Sequence, residues 1–276
     1  MTDSSTELLE RSTESDKPIK NVHTDNTVVL QLPIWPEPSR GIPNTIARSA
    51  LFNVRFKKTL RRQLKNHIVT AIKGTNILYT GEELRQDDET VFLQLLHYAR
   101  LKPWGEYITF KPSDFLKNIG WPVSGQNHYK RLIECMDRLN ANGLKIQSSK
   151  PKINYNGSLI RKFVYFDEEK EKNLREWIVW IEPEVIKLFD SEDYSQLHWE
   201  QRLKLKKPVA QWLHSFYTSY EEPMEVKSIM KMSEAATKKL SVFRATLKKS
   251  LDDLVKVGFI KGYEIDANDK VHVKKA

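Results

Sequence analysis

The chain has 276 residues, with 45 Lys and Arg against 36 Asp and Glu for a net charge of +9, and 39% hydrophobic residues. That suffices for two modest domains, each with its own core. No apolar run approaches the roughly 18 residues of a membrane span. The polar, acidic start matches neither a signal peptide nor a transit peptide. The single cysteine, Cys135, excludes an intrachain disulfide, which fits a reducing, cytoplasmic setting.

The charge is unevenly spread. Residues 1–29 hold six acids and three bases, which leaves +12 on the rest. A basic body suits a polyanion, of which nucleic acid is the commonest, although basic proteins that bind none exist too. Residues 1–29 carry too few large apolar side chains to bury and read as a disordered acidic tail. Next comes Leu30-Gln-Leu-Pro-Ile-Trp-Pro36, an apolar peptide whose prolines forbid a helix; one reading is a strap packing Ile34 and Trp35 onto the body. Ile42–Phe52 is expected to form a short helix. In the following RFKKTLRRQLK, six of eleven residues are basic (Arg55, Lys57, Lys58, Arg61, Arg62, Lys65), which makes either a solvated face or a surface that holds phosphates. Ile68–Ile72 and Asn76–Thr80 read as paired strands with a turn at Lys73-Gly74.

A first complete unit follows. Asp88 is expected to cap a helix bearing Val91, Phe92, Leu95, Leu96 and Ala99. Tyr107–Phe110 alternates as a short strand, Ser113–Gly120 makes a second helix, and Trp121-Pro122 with Ser124 turns into a third. Tyr129, Leu132, Ile133, Met136 and Leu139 recur at spacings of three and four and form one helix stripe. At about 100° per residue, Asn127, Arg131, Glu134 and Arg138 fall opposite. Ser124 is expected to cap this helix and Asn142-Gly143 to end it in a left-handed turn. Alone, the stretch is also compatible with an ordinary amphipathic surface helix. Strands at Leu144–Ser149 and Ser158–Tyr165 flank a candidate wing with Lys150, Pro151, Lys152, Asn154 and Gly157. Glu168–Arg175 reads as a loop, Trp177–Ile181 as a strand and Pro183–Phe189 as a short helix.

The order then repeats. Pro208 opens a helix with Val209, Trp212, Leu213, Phe216 and Tyr217. Met224–Val226 and Ser228–Met232 supply a short strand and a second helix. A third helix from about Ala235 to Val257 buries Leu240, Phe243, Leu247, Leu251 and Leu254, and Gly258 ends it. Phe259–Ile265 and Val271–Lys274 form a hairpin. Leu96-His97 matches Leu213-His214 at an offset of 117, and Gly143-Leu144 matches Gly258-Phe259 at 115. A near-constant offset argues for tandem copies of one domain. The expected fold is therefore α+β: two tandem winged-helix domains preceded by a disordered N-terminal tail. The divisions are a tail at 1–29, a linker at 30–66 with the apolar peptide and basic segment, and winged-helix domains at 67–190 and 191–276.

The chain has no G-x-x-x-x-G-K-[ST] loop and no G-x-S-x-G elbow. Its seven histidines are isolated and lack a second cysteine, so no zinc pattern arises, and the metal-binding histidine pair of a nicking enzyme is missing. No catalytic constellation, metal site or cofactor is expected. The candidate DNA-binding residues are Gln126, Asn127, Lys130 and Arg131 on the first reading helix and Lys150 and Lys152 on the wing. On the second helix they are Thr237, Lys238, Ser241, Arg244 and Lys248. Asn and Gln pair with the adenine edge and Arg with guanine. Residues 235–261 carry seven bases against two acids, a surplus that can neutralise phosphates.

The chain resembles the TrfA-type initiators of plasmid replication over nearly all of residues 30–276. The likeness lies in Arg48-Ser-Ala-Leu-Phe52, Ile77-Leu-Tyr-Thr-Gly81, Leu95-Leu-His-Tyr-Ala-Arg100, Gln211-Trp-Leu-His-Ser-Phe-Tyr217 and Val271-His-Val273. The resemblance implies a protein without nucleotide cofactor that binds repeated origin sequences (iterons) as double-stranded DNA. It implies opening of an adjacent AT-rich segment with contact to single-stranded DNA, recruitment of host DnaA and the replicative helicase, and a monomer–dimer equilibrium that restrains copy number. Gln31-Leu-Pro-Ile-Trp35 also resembles the Gln-Leu-x-Leu-Phe peptide that docks on the sliding clamp, with Gln31, Leu32, Ile34 and Trp35 as anchors. It departs from that peptide in having Ile for Leu and Trp for Phe. A sequence-specific transcriptional regulator of two winged helices is the alternative.

Overall fold

The computed structural model describes residues 22–24, 27–56, 59–149, 152–167 and 169–276. Most of the predicted tail lies outside them; within it β1 (Val22–Thr24) pairs antiparallel with β2 (Thr27–Val29). β3 (Ser39–Pro43) leads into α1 (Asn44–Ala47), then β4 (Gln63–Val69) and β5 (Thr75–Glu82) form a hairpin. α2 (Gln86–Ala99), β6 (Ile108–Phe110), α3 (Pro112–Asn118) and α4 (Gln126–Asn140) follow. Four strands come next: β7 (Gly143–Ser149), β8 (Lys152–Gly157), β9 (Ile160–Asp167) and β10 (Lys172–Ile181). A 3-10 helix (Pro183–Glu192), β11 (Tyr194–His198) and α5 (Trp199–Lys204) lead to α6 (Pro208–Ser219). The chain closes with β12 (Met224–Glu225), α7 (Val226–Met232), α8 (Leu240–Lys256), β13 (Ile260–Ile265) and β14 (Lys270–Lys275).

One order occurs twice. In the first unit α2, β6, α3 and α4 are followed by β9 and β10, with strand order β6-β10-β9; in the second α6, β12, α7 and α8 are followed by β13 and β14, with order β12-β14-β13. Each unit buries its own apolar cluster. The first runs from Leu32 to Trp199, while the second takes Val54 and then begins at Leu205. The apolar stripe of α4 is sealed at Leu132, Met136 and Leu139, and that of α8 at Phe243, Leu247, Leu251 and Leu254. Gly258, at φ +74°, ends α8 as its sequence predicts.

Between α4 and β9 the first unit carries an insertion. β7 and β8 join β4 and β5 in a separate antiparallel sheet of order β4-β5-β7-β8. The predicted wing is corrected accordingly: Lys152–Gly157 is a strand, not a tip, because alternate side chains Ile153 and Tyr155 are buried. The Lys150-Pro151 tip lies outside the described residues. The hairpin in the position of β13–β14 is β9–β10, with a turn at the described residues 169–171.

Residues 30–56 are no linker. Leu32 and Trp35 are 2% and 1% exposed, and the Trp35 ring stacks on Phe189 at 6.0 Å. A β-carbon at Gly41 would meet that ring at 2.5 Å, so only glycine allows the approach. β3 pairs with β11, residue for residue from Ser39↔His198 to Pro43↔Tyr194. This places 194–199 with the first core and moves the division between units from 190/191 to about Leu205. The helix expected over Ile42–Phe52 shrinks to α1, since Pro43 ends a strand there.

Candidate nucleic-acid interface

On α4, Gln126, Asn127 and Lys130 are exposed at the first turns. The helix starts at Gly125 (φ +85°) without a side-chain cap, so Ser124 does not have its predicted role. At the other end Asn142 Nδ2 donates to the carbonyls of Arg138 and Leu139 (2.9 and 2.6 Å). The side chain, not a left-handed turn, closes this helix.

Two arginines assigned to the polar face are held by acids of α2. Arg138 is 7% exposed and its Nε donates to Asp88 Oδ1 at 2.9 Å. Arg131 lies over the Trp121 ring at 3.8 Å and donates to Asp87 Oδ2 at 3.2 Å. Asp88 sits at the third position of α2 rather than at its cap, and it accepts the Arg85 backbone N–H at 2.8 Å. Burial alone would raise the Asp87 carboxyl, but the charges of Arg61, Arg131 and Arg138 take it down to about 2. Burial and the Asp87 charge push Asp88 the other way. Sequence periodicity could not anticipate this acidic pair, because its α4 partners lie more than forty residues away.

The basic run 55–65 is likewise largely tied down where it is described. Arg61 donates to Asp88 Oδ2 and Asp87 Oδ1 (2.7 and 3.0 Å). Arg62 donates to Glu83 Oε2 (2.6 Å) and Glu234 Oε2 (2.8 Å). Lys57 and Lys58 lie outside the described residues, and Lys65 is exposed. Phosphate binding by the arginines of this run is therefore replaced by an ion-pair role.

In the second unit α8 begins at Leu240, not Ala235, so Thr237 and Lys238 belong to the turn ahead of it. Lys238, Ser241 and Lys248 are exposed. Arg244 makes a bidentate pair with Asp269 of the β13–β14 turn (Nε to Oδ1 3.0 Å, Nη2 to Oδ2 2.7 Å). Lys152 is exposed at the start of β8, on a different sheet from β9–β10; Lys150 lies outside the described residues. Both turns in the wing position are acidic, Glu169-Lys170-Glu171 and Asp266-Ala-Asn-Asp269, a composition that repels phosphate.

The peptide Gln31–Trp35 is corrected too. Gln31 Nε2 donates to the Arg100 carbonyl (2.9 Å) and the Trp35 indole N–H donates to His97 Nδ1 (3.0 Å). Of the proposed clamp anchors, only Ile34 is exposed, at 58%. The strap reading describes Trp35; Ile34 faces outward. Because Nδ1 accepts, His97 carries its proton on Nε2 and donates to Glu37 Oε1 at 3.0 Å. Burial lowers the His97 pKa to about 4 and that of His214 to about 3.

One polar site went unseen in the sequence. Arg202 of α5 is fully buried between the units, with Nη2 at 3.2 Å from Glu89 Oε2 and Nη1 at 2.9 Å from Ser215 Oγ. Nearby, a cleft of about 600 Å³ separates the units, bordered by Phe56, Trp121, Arg131, Leu205 and Lys206. Among the described residues no cluster of three or more metal-ligating side chains occurs, and no helix is long and apolar enough to cross a membrane.

The family model described as TrfA protein matches residues 6–275. A relative from Escherichia coli, the plasmid replication initiator protein TrfA, is 31% identical over 245 residues. The match covers 87% of this chain and 63% of that relative, so the chain spans less than two thirds of its length. Among solved structures, domains 2 and 3 of RctB superpose with a TM-score of 0.57 at 14% identity, covering 84% of this chain and 98% of that one. The Pi initiator protein in complex with iteron DNA gives 0.51 at 11% identity, covering 68% and 91%. At such identities these two likenesses concern the fold.

Proposed function

This chain belongs to the TrfA family, and on that footing we propose that it initiates plasmid replication by reading origin iterons through two winged-helix domains. The observation that carries the reading is the duplicated order of elements, which makes α4 and α8 equivalent third helices. The exposed side chains at their starts are amides, hydroxyls and lysines: Gln126, Asn127 and Lys130 on one, Lys238 and Ser241 at the other. Such groups hydrogen-bond base edges and phosphates. The likeness in fold to a protein solved with iteron DNA supports the assignment. Phosphates are met by the helices, since the acidic β9–β10 and β13–β14 turns are unsuited to it. The proposed role is binding without bond chemistry.

In this reading the bound protein opens a neighbouring AT-rich segment, engages its single strand, and brings in host DnaA and the replicative helicase; monomers start replication and dimers restrain it. A sliding-clamp contact through Gln31–Trp35 would require Leu32 and Trp35 to leave the core. The experiment is footprinting on a duplex selected from a random pool. Two major grooves about 10 base pairs apart should be protected per monomer, and adjacent AT-rich DNA should become reactive to single-strand probes. Protection of one groove would refute the two-helix reading, and two grooves without any opening would indicate a transcriptional regulator.

A further inference from the structure

Arg61 and Arg62 are neighbours in sequence, yet their side chains serve different units. Arg61 reaches Asp87 and Asp88, which also hold Arg131 and Arg138 of α4. Arg62 bridges Glu83 of the first unit and Glu234 of the second, at 2.6 and 2.8 Å. His67 Nε2 on β4 meets the other oxygen of Glu234 at 3.0 Å. Glu234 lies in the turn from α7 to α8 with φ +47°, a left-handed conformation that is uncommon for a non-glycine residue. The carboxylate is well enclosed, its side chain 15% exposed.

The units also meet where Ser215 Oγ of α6 donates to Glu89 Oε1 at 2.8 Å and accepts from the buried Arg202 at 2.9 Å, and through Trp212 Nε1, which donates to the Ser49 carbonyl at 2.9 Å. These contacts anchor α6 against the first unit. Between the turn ahead of α4 and the start of α6 the cleft leaves the units unpacked. Beside Glu234 the Val54 N–H donates to the Ser233 carbonyl at 3.2 Å, a single backbone contact to which the Glu234 carboxylate adds two side-chain restraints. Glu234 stands six residues before the first residue of α8, where restraint acts on the reading helix itself.

We infer that Glu234 is a positioning residue: held by Arg62 and His67, it locks the turn carrying α8 to the sheet of the first unit and so fixes the spacing between the two reading helices. The inference rests on the proposed DNA-reading role of α4 and α8. Its consequence is selectivity for the distance between two groove contacts, beyond selectivity for their bases.

The test uses the full chain as wild type, Glu234→Gly and Glu234→Gln. Glycine removes the carboxylate while relieving the left-handed backbone, so the protein stays folded and its Tm does not fall. Binding is measured to the selected duplex, to the same duplex with one base pair inserted between the protected grooves, and to a duplex with one groove element only. The wild type should discriminate against the insertion. In Glu234→Gly that discrimination should drop by about fivefold or more, the low end of coupling between linked sites. Glu234→Gln should lie between, and binding to the single element should not change. Unchanged discrimination in Glu234→Gly, or equal loss on all three duplexes, would overturn the positioning role. Protection of a single groove by the wild type would instead refute the two-helix reading beneath it.

Discussion

Replacing Trp35 with alanine tests whether the peptide ahead of β3 is core or a free docking segment. The ring is 1% exposed, stacks on Phe189 at 6.0 Å, lies 6.3 Å from Tyr194, and donates its N–H to His97. Removing a buried aromatic of this size costs about 3–5 kcal/mol. The unpaired His97 Nδ1 adds about 1–3 kcal/mol. The sum, about 4–8 kcal/mol, is a large part of a typical domain's stability of about 5–15 kcal/mol. Urea unfolding should therefore show a large fall in midpoint for Trp35→Ala. Trp35→Phe keeps most of the packing and should lose only a fraction of that. Ile34→Ala, at an exposed position, should stay within about 0.5 kcal/mol. A midpoint for Trp35→Ala equal to that of Ile34→Ala, with capture by the sliding clamp abolished, would refute the packing argument and restore the docking peptide.

The buried histidines predict a pH dependence. His97 and His214 stay neutral when folded, with pKa values of about 4 and 3, but take up protons below about 6.5 when unfolded. Their stabilisation is thus full above that value and is lost as pH falls, by about 1 kcal/mol each between pH 7 and 5.5. Chemical denaturation of His214→Phe over this range should show a shallower pH slope than wild type, and an unchanged slope would refute the assignment. On DNA, Arg244→Ala should lower affinity for the selected duplex roughly tenfold and relax base choice at one position; selection from random duplexes checks it. Arg131→Ala should in addition lower the Tm, because that side chain also packs on Trp121 and pairs with Asp87.

The repeat was legible because each third helix must bury one stripe, and that constraint leaves a period of three and four in any sequence. It also leaves the offset of 115–117 between units, from α2 to the end of α4. The offset misleads beyond Gly143. Phe259 looks like the counterpart of Leu144, but β13 starts at Ile260 and its structural counterpart β9 at Ile160, an offset of 100. The inserted β7 and β8 alternate like any half-buried strand, and nothing local says that their partner is β5 rather than each other's neighbour in a wing. The strap and the docking peptide are both open readings of residues 30–36 for a similar reason. Burial of that peptide depends on β11, far away in sequence.

Which arginines can read bases is decided by what competes for them. Residue type alone made Arg131 and Arg244 candidates, with Arg138 on the same predicted polar face. The Arg138–Asp88 pair is nearly sealed, with side chains 7% and 0% exposed. Withdrawing Arg138 would leave the fully buried Asp88 to Arg61, which also has to neutralise Asp87, so it stays. The Arg244–Asp269 pair is 37% and 32% exposed, and exposed ion pairs contribute little. A bidentate contact to guanine can therefore displace it. Without DNA the pair holds the Arg244 guanidinium against the β13–β14 turn, which reduces the side-chain entropy lost on binding. Arg131 lies between these limits: its guanidinium is a quarter exposed, but its Asp87 partner is only 7% exposed. Arg131 can lean outward only while Arg61 continues to neutralise Asp87. Under the proposed function, base reading at α4 thus falls first to Gln126, Asn127 and Lys130, whereas on α8 Arg244 joins Ser241, with Lys238 in the turn ahead of the helix.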